Sequence, residues 1–442
     1  MSEPSSPSPE PARPERSRNP WWIPPFLGSV PKGVEHTQLN LLGFVALAMF
    51  FENYDYALLT NVLKYLAEDF GLDKTDLGWF TGAIRLGTLP AFFIVPFADR
   101  IGRRRLFLVS IIGLSIGTFI TAFSQTAEQF ILCQVLSRSF MITASAIAYV
   151  IVTEELPAAH RGWGIGILGA VASFGFGVSA LLFAFIDSIP YGWRGMYALG
   201  LAPLLLLPVL RRQIPETARF KERARQLGRL SASQVMTGAL KPVLELLRAN
   251  RRHAAGVIAL GFLSTAGHAT AFQLTAEFVL TVRGWSNGEY AAMLFFCGAF
   301  GIVGSPIAGR LGDRFGRRAI GAAVLGVFPL TAAAFYLGPG WAVPVAWVAM
   351  VFTSMASGVV VRGLTNEVFP TSQRATASGL LLSVETLGAA SSLFLYSYLM
   401  SVLDEQQGLA VASISLLALV STGFLVLFPE TRQRELEAIS GE

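Results

Sequence analysis

Long apolar runs alternate with short polar segments along most of this chain. Twelve runs of roughly 20 residues carry few charges, and a longer polar stretch divides them into two groups of six. They cover 40–62, 77–98, 106–124, 128–152, 162–186 and 194–210, then 254–281, 287–309, 318–337, 342–365, 376–400 and 408–428. The runs are continuously apolar rather than alternating with period two, which favours bilayer-crossing helices over barrel strands.

Composition agrees with this interpretation. Hydrophobic residues make up 53% of the chain and charged residues only 14%, whereas soluble proteins carry about 25% charged residues. We therefore predict an all-α integral membrane protein with twelve transmembrane helices in two pseudo-symmetric six-helix bundles. Cys133 and Cys297 both lie in apolar runs, so the sequence predicts no disulfide framework, metal site or cofactor.

The polar segments divide the chain into five regions. The first 38 residues are rich in Pro and Ser and contain no apolar core, which predicts a disordered tail. The predicted regions are this tail (1–38), the first bundle (39–210), a linker (211–252), the second bundle (253–428) and a C-terminal tail (429–442). Since no cleavable signal precedes the first apolar run, that run is expected to direct its own insertion.

Basic residues gather in alternate loops and so predict the orientation. The linker is rich in Lys and Arg. The other basic loops carry Arg100, Arg103, Arg104 and Arg105, then His160 and Arg161, and then Arg314, Arg317, Arg318 and Arg374. Loops rich in Lys and Arg stay on the cytoplasmic side. The expected location is the plasma (inner) membrane, with both termini cytoplasmic. The net charge of +5 reflects this bias rather than nucleic-acid binding.

Two short charged segments are near copies of one another. "PFADRIGRRRLF" begins at Pro96 and "GRLGDRFGRRAI" at Gly309, which places Asp99 and Asp313 214 residues apart. A second pair, "EELPAAHRG" and "EVFPTSQRA", places Glu154 and Glu367 213 residues apart. Two motifs with nearly one offset indicate duplicated six-helix halves. Duplicated membrane halves are typical of carriers that bind their substrate between the halves.

These motifs resemble those of the major facilitator superfamily over about residues 39–439. The loop signature is matched by Asp99-Arg100-x-Gly102-Arg103-Arg104, with Val95 in place of the leading Gly, and by Gly309-x-x-x-Asp313-Arg314-x-Gly316-Arg317-Arg318. Glu154-x-x-Pro157-x-x-x-Arg161, Glu367-x-x-Pro370-x-x-x-Arg374, "IPETARF" and "PETRQRELEAI" are similar to the branch of sugar porters and organic-acid/proton symporters. The resemblance implies alternating access by two rocking bundles.

The same resemblance implies a cytoplasmic gate at the loop motifs. An Asp can bond a neighbouring helix N-terminus, and its Arg partners can pair with an acid such as Glu154. The alternative is that the arginines only set the topology. The candidate gate residues are Asp99, Arg100, Gly102, Arg103, Arg104, Glu154, Arg161, Gly309, Asp313, Arg314, Gly316, Arg317, Arg318, Glu367 and Arg374.

Two acids in the first run are candidates for proton coupling. Glu52 and Asp55 are three residues apart and so lie on one helix face. Asn53-Tyr54-Asp55 resembles the Gly-Tyr-Asp segment of proton-coupled symporters, in which the acid takes up a proton. Charged groups at membrane depth are costly and normally have a function. A static ion pair, or a solvated position near the outer rim, is the alternative.

Arg85 in the second run and Arg138 in the fourth are candidates for binding an anion. Arginine stays charged in any environment and can hold a carboxylate with two hydrogen bonds. The alternative is that each arginine neutralises a buried acid. Arg138 lies about one turn closer to Glu154 than in related transporters, which leaves a direct pair with Asp55 open. Arg362 in the tenth run is a third cation, interpreted as structural.

The second half offers four further candidates for substrate binding. Gln273 and Glu277 are four residues apart and are expected to share a helix face. His268 is the one histidine inside an apolar run, where it either titrates during transport or is a hydrogen-bonded structural residue. Glu385 is the one charge in the eleventh run, and we expect it to bind substrate or a second proton.

Other functional classes lack their motifs in this sequence. There is no Walker loop for ATP, no nucleophile elbow and no metal-ligand cluster, so neither an ATP-driven pump nor an enzyme is predicted. Gly164-x-Gly166-x-x-Gly169 and Gly113-x-x-x-Gly117 are interpreted as close helix packing.

The predicted function is proton-coupled symport of a small organic anion by a functional monomer. A sugar or polyol porter is the alternative, ahead of a drug/proton antiporter or a non-transporting sensor.

Overall fold

The computed structural model describes residues 20, 22–23, 30–31, 33–157, 160–214, 216, 241–248, 250–301, 304–369 and 373–430. In these residues the chain forms helices and no strand. The side chains of Asp99 and Asp313 are not among those described. The predictions made for these two carboxylates therefore lie outside the described part of the chain.

Six helices of membrane length form the first half. They are α1 His36–Asn61, α2 Lys74–Phe97, α3 Arg103–Thr121, α4 Ala127–Glu155, α5 Arg161–Phe183 and α6 Trp193–Gln213. A short helix, Leu63–Phe70, continues α1. Within this half, α1 packs along α5, and α3 packs along α4 and α6.

The second half repeats this arrangement. Its helices are α7 Arg251–Val282, α8 in two described pieces (287–301 and Gly304–Phe315), α9 Arg317–Leu337, α10 Val343–Val368, α11 Arg374–Val402 and α12 Gln407–Leu427. Here α7 packs along α11, and α9 packs along α10 and α12. Each contact has its counterpart six helices earlier, and the contacts between halves are also paired, α2 with α11 and α8 with α5. The prediction of two pseudo-symmetric six-helix bundles is confirmed.

Eleven of these helices are long and apolar enough to cross a membrane. The remaining one, α8, contains residues 302 and 303, which lie outside the described part of the chain. Polar residues at the helix starts explain where several helices begin. Thr126 precedes α4 and accepts a hydrogen bond from the Gln129 amide at 3.3 Å, and Ser286 and Glu289 cap the start of α8 reciprocally.

The two halves meet most closely at the end where α2 begins and α11 ends, here called the closed end. A Cβ on Gly78 would lie 2.2 Å from the Leu393 carbonyl oxygen, so glycine is required for this approach. The Trp79 amide donates to Ser397 Oγ at 2.8 Å. Further out, Asn287 donates to the Tyr65 hydroxyl at 2.7 Å and to Asp187 at 3.1 Å. The loop motifs lie at the opposite end, here called the motif end.

Part of the segment predicted as a disordered tail, residues 1–38, is packed against the first half. Helix α1 begins at His36, and the side chains of Ile23 and Val30 are buried, at 2% and 7% exposed, against the first half. Their apolar side chains explain the difference, because they can bury surface that the neighbouring Pro and Ser residues cannot. Residues 1–19, most of the predicted linker and residues 431–442 lie outside the described residues.

The glycine motifs are explained by close packing in part. A Cβ would lie 2.3 Å from the Phe140 ring at Gly113 and 2.9 Å from Ser137 Cα at Gly117, as the packing interpretation requires. At Gly164 it would meet Leu156 at 2.1 Å. Gly166 and Gly169 have open space beside them, so the packing interpretation is wrong for these two positions.

Gly78→Ala is expected to shift the protein away from the conformation that is shut at the closed end. The added methyl group cannot fit beside the Leu393 backbone without separating α2 from α11. Spin labels on Glu68 and Ser401, which are exposed positions on the two halves, would report this as a longer distance in a protein without Cys133 and Cys297. Gly169→Ala is the matched control. Equal distance distributions for the two variants would contradict the prediction.

Candidate functional site

Two membrane helices lose their regular structure where the halves face each other. Helix α2 is interrupted at 87–89, just before Pro90, and α7 is interrupted at Leu274. Arg85 and Gln273 lie immediately before these breaks, and Arg85 Nη2 donates to Gln273 Oε1 at 3.4 Å. Non-helical backbone at membrane depth is tolerated where protein or a water-filled cavity surrounds it. Broken helices of this kind form the binding sites of many carriers.

The backbone groups released at the break in α2 are hydrogen-bonded. Ser139 of α4 donates to the Gly87 carbonyl at 2.8 Å, and Thr88 donates to the Arg85 carbonyl at 3.0 Å. A Cβ on Gly87 would lie 2.6 Å from Val135 Cα, so glycine permits α4 to approach the break. These contacts fix the position of the Arg85 backbone.

The Arg85 guanidinium lies among neutral groups from both halves. It donates to the Tyr56 hydroxyl of α1 and to Gln273 of α7. Gln273 in turn donates to Thr60 Oγ1 at 3.1 Å. Arg85 is half-buried and forms no ion pair within 4.0 Å with any described acid. A guanidinium in such surroundings is well suited to bind an anion.

Asp55 and Arg138 lie deeper in the first half, where they are 2% and 1% exposed. Asp55 Oδ1 accepts a hydrogen bond from Thr118 at 2.8 Å, while Oδ2 is buried without a partner in the described part of the chain. The charges of Asp55 and Arg138 interact, but the two groups form no ion pair within 4.0 Å. The direct pair that the sequence left open is therefore absent in this conformation.

Glu52 lies near Asp55, as their spacing in α1 predicts. It is 7% exposed, and its charge interacts with that of Asp55. Glu52 Oε2 is buried and has no hydrogen-bond partner among the described groups. The two candidate proton acceptors thus form one buried acidic pair on the inner side of α1.

Gln273 and Glu277 do not share surroundings, although their spacing predicts a common face. Glu277 accepts hydrogen bonds from Thr281 at 2.8 Å and from Gln407 of α12, within the second half. The break at Leu274 lies between the two residues, and the wider π-turns of Phe278–Val282 follow Glu277. The two side chains therefore have different partners, and their expected common face assumed a regular helix.

His268 contacts other helices of the second half. Its ring stacks on Phe328 with centroids 3.8 Å apart, Nδ1 contacts the Ser264 carbonyl, and Nε2 lies 3.3 Å from Ser357 Oγ. These contacts are those of a packed, hydrogen-bonded histidine, the structural alternative that the sequence left open. A role of His268 in substrate binding stays a prediction.

Glu385 lies apart from Arg85, toward the motif end of α11. It is half-buried beside the exposed Arg362, and the two charges interact. Together with Ser378, Leu381 and Leu382 they line a cavity of 220 Å³. The lining of this cavity does not include Arg85 or Gln273, so a role of Glu385 in substrate binding stays a prediction.

The duplicated loop motifs form the same structure twice. Gly102 and Gly316 have φ of 106° and 100°, a conformation that favours glycine. Each glycine is followed by an arginine that pairs with an acid in its own half. Arg103 Nη2 lies 3.5 Å from Glu154, and Arg317 Nη2 lies 2.6 Å from Glu367. These ion pairs strengthen the individual halves, and their role in a gate stays a prediction.

Further contacts at the motif end are also repeated. Arg161 and Arg374 donate through Nε to the carbonyls of Leu156 and Phe369, at 3.3 and 3.2 Å. Arg100 and Arg314 are exposed, Arg318 is half-buried, and Gly309 has open space beside it.

Glu216 and Glu430 add a contact that the sequence did not assign. They accept hydrogen bonds from the Arg104 and Arg317 amides, both at 3.1 Å. Glu216 therefore lies at the N-terminus of α3, and Glu430 lies at the N-terminus of α9. Negative charge is favourable at a helix N-terminus. The signal was the Pro-Glu-Thr in each half.

The sequence did not predict three further residues of the site, which are Tyr56, Thr60 and Thr88. Tyr56 follows Asp55 directly, but its neighbour Tyr54, of the same type, donates to the Met196 carbonyl at 3.0 Å within the first half. Thr88 donates to Thr386 Oγ1 of α11 at 3.1 Å. Hydroxyl residues are common in membrane helices, so these three residues did not stand out in the sequence. Pro90 was the one local sign that α2 is interrupted at 87–89.

Glu367→Gln is expected to lower the thermal unfolding midpoint of the purified protein by a few degrees. The substitution removes one charge from a close ion pair whose side chains are 22% and 17% exposed, and so removes the attraction of that charge for Arg317. Glu245→Gln is the control, because the Lys241–Glu245 pair is 72% and 61% exposed and exposed pairs contribute little. Equal changes of the midpoint would contradict this account.

Comparison with known proteins places this architecture in one family. The family model described as Major Facilitator Superfamily matches residues 45–393. A gallate transporter of Pseudomonas putida is 30% identical over 186 residues, which are 41% of each chain. A cis,cis-muconate transport protein of Acinetobacter baylyi is 26% identical over 80% of this chain and 86% of its own. The chain thus spans less than half of the gallate transporter and most of the muconate protein.

Solved structures agree with the fold. The inward-open xylose transporter XylE of E. coli superimposes with a TM-score of 0.71 at 18% identity, over 91% of this chain and 99% of that chain. With the family model matching most of the chain and the helix order repeated twice, the chain belongs to the major facilitator superfamily and is a multi-pass membrane transporter, not an enzyme.

Proposed function

We propose that this transporter carries a small organic anion together with protons. The observation that carries the proposal is Arg85, a half-buried guanidinium that lies at facing helix breaks between the halves and has no acidic partner among the described residues. A permanent cation between two rocking bundles is costly unless a substrate or a counterion compensates it. A carboxylate supplies the missing charge and matches the guanidinium geometry.

The neutral groups around Arg85 complete the proposed substrate site. Gln273, Thr60, Thr88 and Thr386 come from α7, α1, α2 and α11, so a bound anion would contact both halves. A ligand held by both halves binds the two conformations differently, which is the requirement for alternating access. The relatives named for gallate and cis,cis-muconate carry organic acids, which supports a carboxylate substrate here.

Asp55 is the proposed proton acceptor. Its buried Oδ2, which has no partner among the described groups, can receive a proton, and the nearby Arg138 stabilises the charged form. A carboxylate that alternates between these conditions binds and releases one proton per cycle. Glu52, the neighbouring buried acid, is the proposed second member of the proton path.

The proposed movement is a rocking of the first half (39–210) against the second (253–428). The described conformation is shut at the closed end, and the opposite conformation would be shut at the motif end. We place the motif end and both chain termini on the cytoplasmic side, in the plasma (inner) membrane, and the transporter as a monomer. The paired arginines and acids of the loop motifs would then form the gate.

A sugar or polyol porter is the second candidate. It is favoured by the uncharged hydrogen-bonding groups of Gln273, Thr60, Thr88 and Thr386 around the central site, because hydroxyl-rich ligands need such partners. The likeness to XylE supports the shared fold and not this substrate. The anion is favoured because a sugar would leave the charge of Arg85 uncompensated.

Asp55→Asn is expected to abolish accumulation driven by a pH gradient while substrate exchange remains. Proteoliposomes with an imposed gradient would be tested with a panel of aromatic carboxylates, aliphatic carboxylates, sugars and polyols. The wild-type protein should accumulate at least one carboxylate, and collapsing the gradient should stop accumulation. Full accumulation by Asp55→Asn would remove Asp55 from the mechanism, and accumulation of sugars alone would favour the second candidate.

Arg85→Gln is expected to raise the half-saturating concentration of the transported carboxylate by roughly 10- to 100-fold, the effect of losing hydrogen bonds to a charged group. Arg85→Lys should cause a smaller loss, because lysine keeps the charge without the planar donor pair. Counterflow across vesicles measures both. Arg212→Gln, at an exposed position, is the matched control. An unchanged half-saturating concentration in Arg85→Gln would contradict anion binding by Arg85.

A further inference from the structure

Tyr56 lies between the proposed substrate site and the proposed proton site. Its hydroxyl accepts a hydrogen bond from Arg85 Nη1. Its ring also lies within reach of both guanidiniums, with Arg85 Cζ 5.0 Å and Arg138 Cζ 5.2 Å from the ring centroid. Arg85 is half-buried in the central site, whereas Arg138 is 1% exposed. One phenol thus contacts the accessible cation and the inaccessible one.

This arrangement makes the two cations sensitive to each other. The negative face of an aromatic ring attracts a guanidinium within about 6 Å, and two like charges near one ring also repel each other. The charge of Arg85 acts on Arg138. An anion bound to Arg85 would compensate that charge and compete with the Tyr56 hydroxyl for its hydrogen bonds. The repulsion that Arg85 exerts on Arg138 would fall, and Arg138 would be held less firmly near Asp55, without any contact between Arg138 and the anion.

Arg138 in turn acts on Asp55. The groups whose charge or hydrogen bonding affects the Asp55 carboxylate are Arg138 of α4, Thr118 of α3, Glu52 and Tyr54 of α1, and Tyr197 of α6. Among them Arg138 supplies the positive charge that favours the ionised form. A weaker influence of Arg138 therefore favours protonated Asp55.

We propose that Tyr56 is the positioning residue that couples anion binding at Arg85 to protonation of Asp55 through Arg138. The inference rests on the proposed function and names how its two sites communicate. Anion binding at Arg85 makes Asp55 easier to protonate, and by linkage a protonated Asp55 makes the anion bind more tightly. The hydroxyl transmits the change at Arg85, and the ring holds the two guanidiniums beside one another.

The test is the pH dependence of substrate affinity in Tyr56 variants. Counterflow is measured with equal pH on both sides, at pH 6 and pH 8, with a transported carboxylate that stays ionised over this range. In the wild-type protein the half-saturating concentration should be on the order of tenfold lower at pH 6, a typical coupling between sites. Tyr56→Phe, which keeps the ring, should reduce this ratio to about threefold or less, and Tyr56→Leu, which removes the ring, should reduce it further.

Tyr336→Phe is the matched control, because it removes a buried hydroxyl that donates to the Ala271 carbonyl within the second half and takes no part in the contacts of Arg85, Arg138 or Asp55 given above. It should keep the wild-type ratio. If Tyr56→Phe also keeps that ratio, even with both affinities weakened, Tyr56 does not couple the sites and the inference is wrong. If a variant shows no counterflow, the carboxylate-induced rise in thermal unfolding midpoint at the two pH values gives the same ratio.

Failure of the proposed function gives a different result. A wild-type protein that transports no carboxylate overturns both the proposed function and this inference. A wild-type protein that transports a carboxylate with a pH-dependent affinity, alongside an unchanged ratio in both Tyr56 variants, overturns the inference alone.

Discussion

Arg85 places a permanent positive charge at membrane depth with no countercharge among the described residues, and the structure around it depends on this charge. Arg85 cannot lose its charge, and lipid cannot solvate it, so the protein must surround it with hydrogen-bonding groups. The breaks in α2 and α7 supply those groups by bringing polar side chains of both halves together. The hydroxyls of Ser139 and Thr88 then satisfy the backbone carbonyls at the break in α2. The site therefore exists only where the two halves meet.

Because the site lies between the halves, the contacts that hold the halves together also determine its geometry. The close contact of α2 with α11 at Gly78 and the hydrogen bond between Thr88 and Thr386 both join the halves near Arg85. The paired contacts of the loop motifs, Arg103 with Glu154 and Arg317 with Glu367, instead stiffen each half separately. Each half is stabilised by its own ion pair, and the two halves contact each other through polar groups. The contacts between the halves can therefore be replaced by others while each half stays folded. That is the mechanical requirement for a carrier.

Much of the fold followed from the sequence because a bilayer imposes strong rules. Apolar runs of sufficient length predicted the helices, and the spacing of Asp99 to Asp313 predicted the duplication that Gly102 and Gly316 repeat in backbone conformation. The acidic pair of Glu52 and Asp55 followed from helix periodicity alone. These features depend on local pattern or on repetition, both of which a single sequence contains.

The central site followed only in part, because its contacts are made between distant segments. Arg85 and Gln273 are separated by 188 residues, and periodicity carries no information on such a pair. A regular helix was also assumed across Leu274, where the structure has a break and where Gln273 and Glu277 have different partners. Tyr56 and Tyr54 are equivalent in local sequence, and only packing distinguishes the one that contacts both arginines.

The most direct test of the central claim is whether the site recognises negative charge. Binding of a carboxylic acid and its carboxamide, which have nearly the same shape, would be measured by titration calorimetry on the purified protein. We expect saturable binding of the ionised acid and at least tenfold weaker binding of the amide, because a charged hydrogen bond is lost. Equal binding of the acid and the amide would contradict the claim.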